Sequence, residues 1–540
     1  MKRLLTLTAL MASFSSASAA VLADNLPAGA LMTLQTNGAG PTFDRLLGLV
    51  KSVSKDPELT DMAGSLGGLF KGSIGNEATL GLFSVGTVAG GFTPALLAVT
   101  RADVPSSGFF RTLIPKKPGA KVGKYTFVRK DDLFVGMGGG LVYLSSDKGL
   151  LMSYLGRLGG NAAPRLNASA AYTVPSRAVG EQELGLYFNF SATAKVIRGQ
   201  LGKLLLPRLL SPVVDALDTL GSYAAGFSTT DAGLSAQSAH LPNAAGKDKP
   251  LYAILTHTAD FAVQSVIPAS AEAVAATACA NETAPYLGRW LTRFDLFDPT
   301  GFLTDSQLAA NLEQSARYLG DECATVTLAG GSRAGFNQSN PSAGLDYAVT
   351  YQSVTDMDAA RAHLPAYVSS LNEAIQGVAT TLGTLGSKID GLGGKAAGKS
   401  RGSAAAVQST QAQLDMFRKQ VAAIKVVYGF RGGYLVMANS QKALDQAMNE
   451  NVPALADDTD FQAADLNFAG VAGWSYGKAG AKVTGAQLAP AFKSLEGLGI
   501  GASLSNLLAD LFNRYGGMSS QSTVENGVIL QKSAVQYDWQ

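Results

Sequence analysis

The segment GGKAAGKS, residues 393–400, has residue types and a spacing that could bind phosphate. It fits the pattern G-x-x-x-x-G-K-S, with Gly393, Gly398, Lys399 and Ser400 at the fixed positions. In a P-loop the backbone N–H groups surround phosphate oxygens, the lysine reaches the terminal phosphates and the serine binds magnesium. Such a loop joins a buried strand to a helix, but the preceding residues LGTLGSKIDGL have no strand character. The match is interpreted as chance in a flexible Gly/Ala/Ser/Lys connector, and no cofactor is predicted.

A second pattern, GWSYG at residues 473–477, matches the nucleophile elbow of hydrolases and would expose Ser475. That chemistry needs an acid and a histidine later in the chain. The three histidines, His240, His257 and His363, all precede Ser475. The counterpart in the first half of the chain, GLYFN at residues 185–189, places Tyr187 where Ser475 stands. The sequence therefore favours Ser475 as an ordinary strand residue and predicts no catalytic residue.

No metal site is predicted. The histidines show none of the close spacings that zinc sites use. Asp457, Asp458 and Asp460 could bind calcium, but the glycine and distal glutamate of an EF-hand loop are missing, so a helix cap or solvated loop is favoured. Paired acids of the kind that glycosidases use stay open, because their spacing is spatial.

Cys279 and Cys323 are the two cysteines of the chain. An even count in an exported chain favours a disulfide, and two free buried thiols are the alternative. A redox enzyme would use the C-x-x-C spacing, which is absent.

The first residues are typical of an export signal. Lys2 and Arg3 precede a mostly apolar run at residues 4–14, and small residues follow at 17–19, which predicts a signal peptide over residues 1–20. Without Lys2 and Arg3 the 43 basic residues become 41, equal to the 41 acidic ones. A formally neutral chain without basic runs is not expected to bind nucleic acid. The expected location is the periplasm, the cell envelope or the medium.

The segment 78–100 is uncharged and long enough to cross a bilayer. Glycines and a proline interrupt it, which favours two strands joined by a turn. No transmembrane span is therefore predicted after signal cleavage.

A series of short motifs in the first half of the chain recurs in the same order in the second half. NLPAGALMTLQTN at residues 25–37 is echoed by VIPASAEAVAATACAN at 266–281, and GNEATLGLFSV at 75–85 by GDECATVTLAG at 320–330. GMGGGLVYLSSDKGLLMSYL at 136–155 is echoed by GFRGGYLVMANSQKALDQAM at 429–448. These echoes predict two homologous halves, 21–248 and 249–540, the second with a helical, low-complexity insertion at about 366–423.

Alternating apolar runs such as ATLGLFSV and LVYLSS predict strands, with paired glycines as hairpin turns at 139–140 and 432–433. Helical periodicity appears in FDRLLGLVKSV and LLMSYLGRL. Short turns between strands indicate antiparallel pairs, so each half is predicted to be an α+β fold with a mainly antiparallel sheet.

Three features together resemble an exported bacterial family of unknown function. They are a strand that opens with Leu-Pro-Ala, a Gly-Asn-Glu or Gly-Asp-Glu before a strand hairpin, and the short strand GGYLVMA. The resemblance implies an envelope or secreted location and no assigned site.

The expected function is that of a non-enzymatic cell-envelope protein that binds a partner or serves as a scaffold. A carrier of apolar, lipid-like ligands and a hydrolase with acidic catalytic residues are the alternatives. The identity of the partner, an envelope protein or an apolar ligand, and the oligomeric state are left open.

Overall fold

The computed structural model describes residues 22–38, 40–53, 77–86, 92–101, 114, 119–201, 207–291, 307–331, 346–396, 414–480, 484, 506, 509–510 and 512–539. The chain divides into two compact units. The first comprises residues 1–256, 514–516 and 524–540, and the second comprises residues 257–513 and 517–523. The predicted signal peptide, residues 1–20, lies outside the described residues.

The strands of the first unit are β1 (Ala30–Asn37), β2 (Glu77–Gly86), β3 (Phe92–Arg101), β4 (Ala120–Val122), β5 (Tyr125–Lys130), β6 (Leu133–Gly138), β7 (Leu141–Ser145), β8 (Leu184–Asn189), β9 (Ser222–Thr230) and β10 (Gly233–Leu241). Its helices are α1 (Gly40–Val53), α2 (Lys148–Leu158), α3 (Ala170–Val179), α4 (Phe190–Leu201), α5 (Pro207–Leu220) and α6 (Pro250–Leu255). The last strand of the chain also belongs here, because it pairs with β10 along its length.

The described strands of the first unit follow the order β4-β5-β6-β7-β3-β2-β1-β8-β9-β10, followed by the last strand of the chain, and every ladder is antiparallel. One face of this sheet forms the core of the unit. Leu97, Tyr143 and Tyr187 on that face join a buried cluster with Leu151 and Tyr154 of α2. Alternation along each strand sends the intervening residues to the other face.

The second unit contains β11 (Ala273–Ala278), β12 (Leu319–Thr327), β13 (Ala348–Val354), β14 (Val427–Arg431), β15 (Tyr434–Ala438), β16 (Gly473–Lys478) and most of β17 (Tyr515–Glu525), which is followed by β18 (Val528–Tyr537) of the first unit. Its helices are α7 (Thr283–Leu291), α8 (Leu308–Ser315), α9 (Met357–Ala396), α10 (Gln441–Ala447) and α11 (Thr459–Gln462), and residues 414–423 are also helical.

The strand order of the second unit is β14-β15-β13-β12-β11-β16-β17, again antiparallel throughout. This order repeats the sequence of ladders β6-β7-β3-β2-β1-β8-β9 in the first unit. The predicted α+β class with a mainly antiparallel sheet is therefore confirmed.

Equivalent backbone hydrogen bonds occur in the two units. The Leu166 N–H donates to the Leu26 carbonyl at 2.7 Å, and the Leu455 N–H donates to the Ile267 carbonyl at 2.8 Å. These residues occupy equivalent places beside the Leu-Pro-Ala and Ile-Pro-Ala strand openings.

An aromatic pair is repeated in the same way. The Tyr172 and Tyr187 rings meet edge to face with centroids 5.0 Å apart, and the Phe461 and Tyr476 rings do so at 5.1 Å. Edge-to-face geometry suits the quadrupoles of two rings, so each pair stabilises the packing of a helix on the sheet.

Three local predictions are confirmed. In the apolar segment 78–100, residues 78–86 and 92–100 form the antiparallel pair β2 and β3, and residues 87–91 lie outside the described part. The two-residue turns at 139–140 and 432–433 have positive φ angles at all four glycines, which a type I′ hairpin requires. Cys279 and Cys323 form a disulfide with a Cα–Cα separation of 5.8 Å.

The predicted insertion of the second half, about 366–423, falls on α9 and on the helical residues 414–423, and residues 397–413 lie outside the described part. Among the helices described, none is both long and apolar enough to cross a membrane.

Candidate functional site

A row of apolar side chains crosses the face of the first unit's sheet that lies away from its core. Ladder registers place Leu34 opposite Leu80 on one side and opposite Leu186 on the other. The row continues from Leu80 to Ala98 and Leu144. Because paired residues of adjacent strands project to the same side, these positions form one apolar strip across five strands.

This strip is the floor of a cavity of about 560 Å³. That volume lies within the range of small-molecule sites, roughly 300–1,000 Å³. The described lining residues are Leu34, Gln35, Thr36, Ala78, Thr79, Leu80, Ala98, Leu144, Leu184, Gly185, Leu186, Tyr223, Ala225, Gly226, Phe227, Ala236, Gln237, Ser238, Gln531 and Ser533. None of these described residues is an Asp, Glu, His, Lys or Arg, so the lining offers apolar contact and a few neutral polar groups.

The equivalent strip of the second unit has different side chains. Ala275 lies opposite Thr325 and Ser475, and Thr325 lies opposite Thr350. Ala275, Thr325 and Thr350 are exposed, whereas Leu80 and Ala98 are buried at the matching places of the first unit. The apolar cavity is thus a property of the first unit's side chains and not of the order of strands that the two units share.

An aromatic group around His240 lies beside one end of the cavity. The Tyr223 ring, part of the lining, lies 6.4 Å from the His240 ring, and the Phe190 ring lies 6.3 Å from it. His240 Nε2 is 2.5 Å from the Leu220 carbonyl oxygen. Burial lowers the pKa of His240, and the hydrogen bond to Leu220 opposes this effect only in part. Because lowering the pKa favours the uncharged ring, this end of the cavity adds no cation at neutral pH.

Two polar atoms of the lining, Gln35 Oε1 and Thr36 Oγ1, are buried and have no hydrogen-bond partner among the described residues. Thr36 lies opposite Ala78 and Leu184, both of which line the cavity. An unpaired buried hydroxyl costs free energy, and a polar group of a ligand could satisfy it.

The residues singled out from sequence are not brought together. Gly393 lies in α9, and Gly398, Lys399 and Ser400 lie outside the described residues. Ser475 lies within β16, not at a strand-to-helix turn, and its Oγ is 2.6 Å from Ser520 Oγ.

The structure corrects one detail of the repeat alignment. The motif spacing GLYFN against GWSYG pairs Tyr187 with Ser475, but the ladders place Leu186 at the position of Ser475 and Tyr187 at that of Tyr476. The shift of one residue matters because it moves a side chain to the opposite face of the sheet. Both tyrosines are buried in their cores, and burial raises the pKa of each.

The acidic turn at residues 457–460 is a helix cap. Asp458 Oδ1 accepts hydrogen bonds from the N–H groups of Asp460 and Phe461, each at 3.0 Å, and Oδ2 accepts one from Lys478 Nζ at 2.7 Å. Burial alone would raise the pKa of Asp458, but the Lys478 ammonium and the two N–H donors outweigh it and hold the pKa below its usual range. No group of three potential metal ligands occurs in the part of the chain that the structure describes.

Sequence reasoning missed the role of two glutamates. Glu77 and Glu322 occupy the same place in the Gly-Asn-Glu and Gly-Asp-Glu motifs, and each is buried. Glu77 accepts a hydrogen bond from the Leu22 N–H, and Glu322 accepts from the N–H groups of Ala262 and Val263 at 2.7 and 3.0 Å. Each carboxylate therefore holds the turn that precedes the first strand of its unit.

Comparison with known proteins adds little. No protein-family model matches the chain, and no curated protein matches it. Two solved structures, crystal forms III and I of the protein TP0453, align with TM-scores of 0.25 and 0.23 and 11% identity. They cover 45% and 46% of this chain and 90% of TP0453, and at these scores the likeness carries no argument about function. The resemblance to an exported family of unknown function stays a prediction.

Proposed function

We propose that the protein is a non-enzymatic binding protein of the extracytoplasmic space, and that its first unit carries an apolar ligand such as an acyl chain. The cavity above β1, β2 and β8 is the observation that supports this function. Between the two binding roles expected from sequence, the cavity favours the carrier of apolar ligands over the scaffold.

The chemistry of the lining sets the ligand class. Leucine and alanine supply nine of the twenty described lining residues, and transfer of apolar ligand surface out of water contributes about 25 cal/mol per Å². The described lining has no carboxylate or imidazole, so it offers no acid or base for hydrolysis.

The compartment is supported by two features. The disulfide between Cys279 and Cys323 suits an oxidising environment, and the N-terminal sequence is typical of an export signal. A protein of the periplasm, envelope or medium meets lipids that need an apolar site to cross water.

The proposal is tested by displacement of the neutral fluorescent probe N-phenylnaphthylamine from the mature protein by dodecanol. Leu186→Gln places an amide in the middle of the cavity floor. Since burying an unpaired amide costs about 1–3 kcal/mol, the variant should bind dodecanol roughly tenfold more weakly. The matched control is Ser475→Gln, the same new side chain at the equivalent position of the second unit, which should not change dodecanol affinity.

Mass spectrometry under native conditions supplies a second readout. Protein purified from its natural envelope should carry lipid that is lost in Leu186→Gln and kept in Ser475→Gln. Failure of the wild-type protein to bind the probe or any lipid would reject the carrier function, and recovery of an envelope protein partner alone would support the scaffold.

A further inference from the structure

The cavity floor continues into a polar cluster at the end opposite His240. Phe227 lines the cavity, and Thr229 is the next residue of β9 on the same face, about 7 Å further along the strand. Thr42, on α1, places its Oγ1 3.3 Å from Thr229 Oγ1. The first turn of α1 therefore lies beside the polar end of the floor.

The carboxylate in this cluster, Glu183, already accepts hydrogen bonds from its neighbours. Glu183 Oε2 accepts hydrogen bonds from the Thr229 N–H at 2.9 Å, from Thr229 Oγ1 at 3.1 Å and from Thr42 Oγ1. Three donors converge on one oxygen, which fixes Glu183 in place as part of the wall.

The cation in this cluster, Arg45, has one nitrogen without a hydrogen-bond acceptor among the described residues. Arg45 follows Thr42 by three residues, about one turn of α1, and so lies near the same helix face. Its Nη2 pairs with Asp231 Oδ1 at 2.6 Å, and its guanidinium lies 6.0 Å from the centre of the Trp539 ring. Its Nη1 is buried and has no hydrogen-bond partner in the described part of the chain. A buried donor on a charged group without an acceptor is costly, because charge-assisted hydrogen bonds are the strong ones.

The existing partner of Arg45 is weakly held. The Asp231 side chain is fully exposed and the Arg45 side chain is 28% exposed, so water screens this ion pair. An anion that reached Nη1 would meet an available donor and could also compete with Asp231.

We propose that the ligand of the first unit is an anionic amphiphile, with its chain on the leucine floor and its acidic head group bound by Arg45. The proposal rests on the proposed carrier function and names the head group that the site selects. A carboxylate or a phosphate head would satisfy Nη1 in the same way, because both present two oxygens to a planar guanidinium.

The experiment compares dodecanoate with dodecanol, two probes with the same chain and different head groups, in displacement of N-phenylnaphthylamine from the mature protein. The wild-type protein should bind dodecanoate about tenfold more tightly, the size expected for a charge-assisted hydrogen bond. In Arg45→Gln the ratio of the two affinities should fall to near one. Dodecyl phosphate, tested in parallel, shows which head group is preferred.

Two further variants keep the result interpretable. Arg198→Gln removes another ion-paired arginine of the same unit, from α4, and should leave the ratio at its wild-type value. Asp231→Asn removes the competing carboxylate and should tighten dodecanoate binding about twofold to threefold, a gain that misfolding cannot produce.

The outcomes separate the two proposals. A ratio near one in the wild-type protein, or an unchanged ratio in Arg45→Gln, overturns the anionic head group while leaving an apolar carrier intact. Binding of neither dodecanol nor dodecanoate rejects both the carrier and the head-group assignment. Inorganic phosphate that competes as well as dodecyl phosphate would show a free anion site that does not need the chain, and would also overturn the proposal.

Discussion

At the scale of single residues, the buried glutamate of each unit links a short motif to the start of the sheet. Glu322 accepts from two backbone N–H groups and also from the Tyr434 hydroxyl, whose oxygen is 2.9 Å from both carboxylate oxygens. Burial, and after it the nearby Glu322 carboxylate, raises the pKa of Tyr434, so the phenol stays protonated as a donor. The carboxylate thus joins the turn before β11 to the hairpin of β15.

Replacing Glu322 tests this role. In Glu322→Gln the carboxylate becomes an amide with one acceptor oxygen, so at least one of the three donors loses its acceptor. The free energy of unfolding in urea should fall by about 1–3 kcal/mol, and Tyr434→Phe should cost about 1 kcal/mol. Glu450→Gln, an exposed control in the same unit, should change it by less than about 0.5 kcal/mol. Equal unfolding midpoints for Glu322→Gln and Glu450→Gln would show that the buried carboxylate does not hold the turn.

At the scale of elements, the strands were predictable because the alternation of apolar and polar residues involves only neighbouring positions in the sequence. The glycine pairs before Leu141 and Tyr434 marked the hairpins, and the alternating apolar pattern marked β2 and β3. The register of β8 was not predictable from sequence, because GLYFN shares one identical residue with GWSYG in either of two alignments that differ by one position. Only the pairing of Leu186 with Leu34, 152 positions earlier in the chain, decides which side of the sheet each residue faces.

The disulfide acts on the elements that it joins, the end of β11 and the strand β12. It closes a loop with a sequence separation of 44 residues, which in the chain-entropy model stabilises the fold by about 4 kcal/mol. Cys279→Ser together with Cys323→Ser should therefore unfold at a lower urea concentration than the wild-type protein.

Reduction provides the control for the disulfide prediction. A reductant should lower the unfolding midpoint of the wild-type protein and leave that of the double variant unchanged. If the oxidised wild type and the double variant unfold at the same midpoint, the bridge contributes nothing to stability.

At the scale of the whole molecule, the repeated short motifs were visible in sequence while the candidate site was not. Motifs such as Leu-Pro-Ala and Gly-Asn-Glu recur because each unit needs the same turns and caps. The cavity depends instead on Leu34, Leu80, Leu144 and Leu186, which come from four strands, and each of these leucines alone is an ordinary strand residue. The residues of the proposed head-group site are equally dispersed, since Arg45 and Asp231 are far apart in sequence and meet only in the folded unit.

Because only the first unit has the leucine floor, a bound ligand should change amide exchange in the first unit and not in the second. A ligand on the floor of the first unit must slow local opening of β1, β8 and β9, because it binds only the closed form. With dodecanoate at about one hundred times its dissociation constant, that stabilisation is about 2.7 kcal/mol, or roughly a hundredfold slower amide exchange. Peptides from β11, β12 and β16 should exchange at unchanged rates, because the matching positions Ala275, Thr325 and Ser475 form no leucine floor. Hydrogen exchange with mass spectrometry on the mature protein measures both sets at once, and equal protection in both units would place the ligand outside the first unit's cavity.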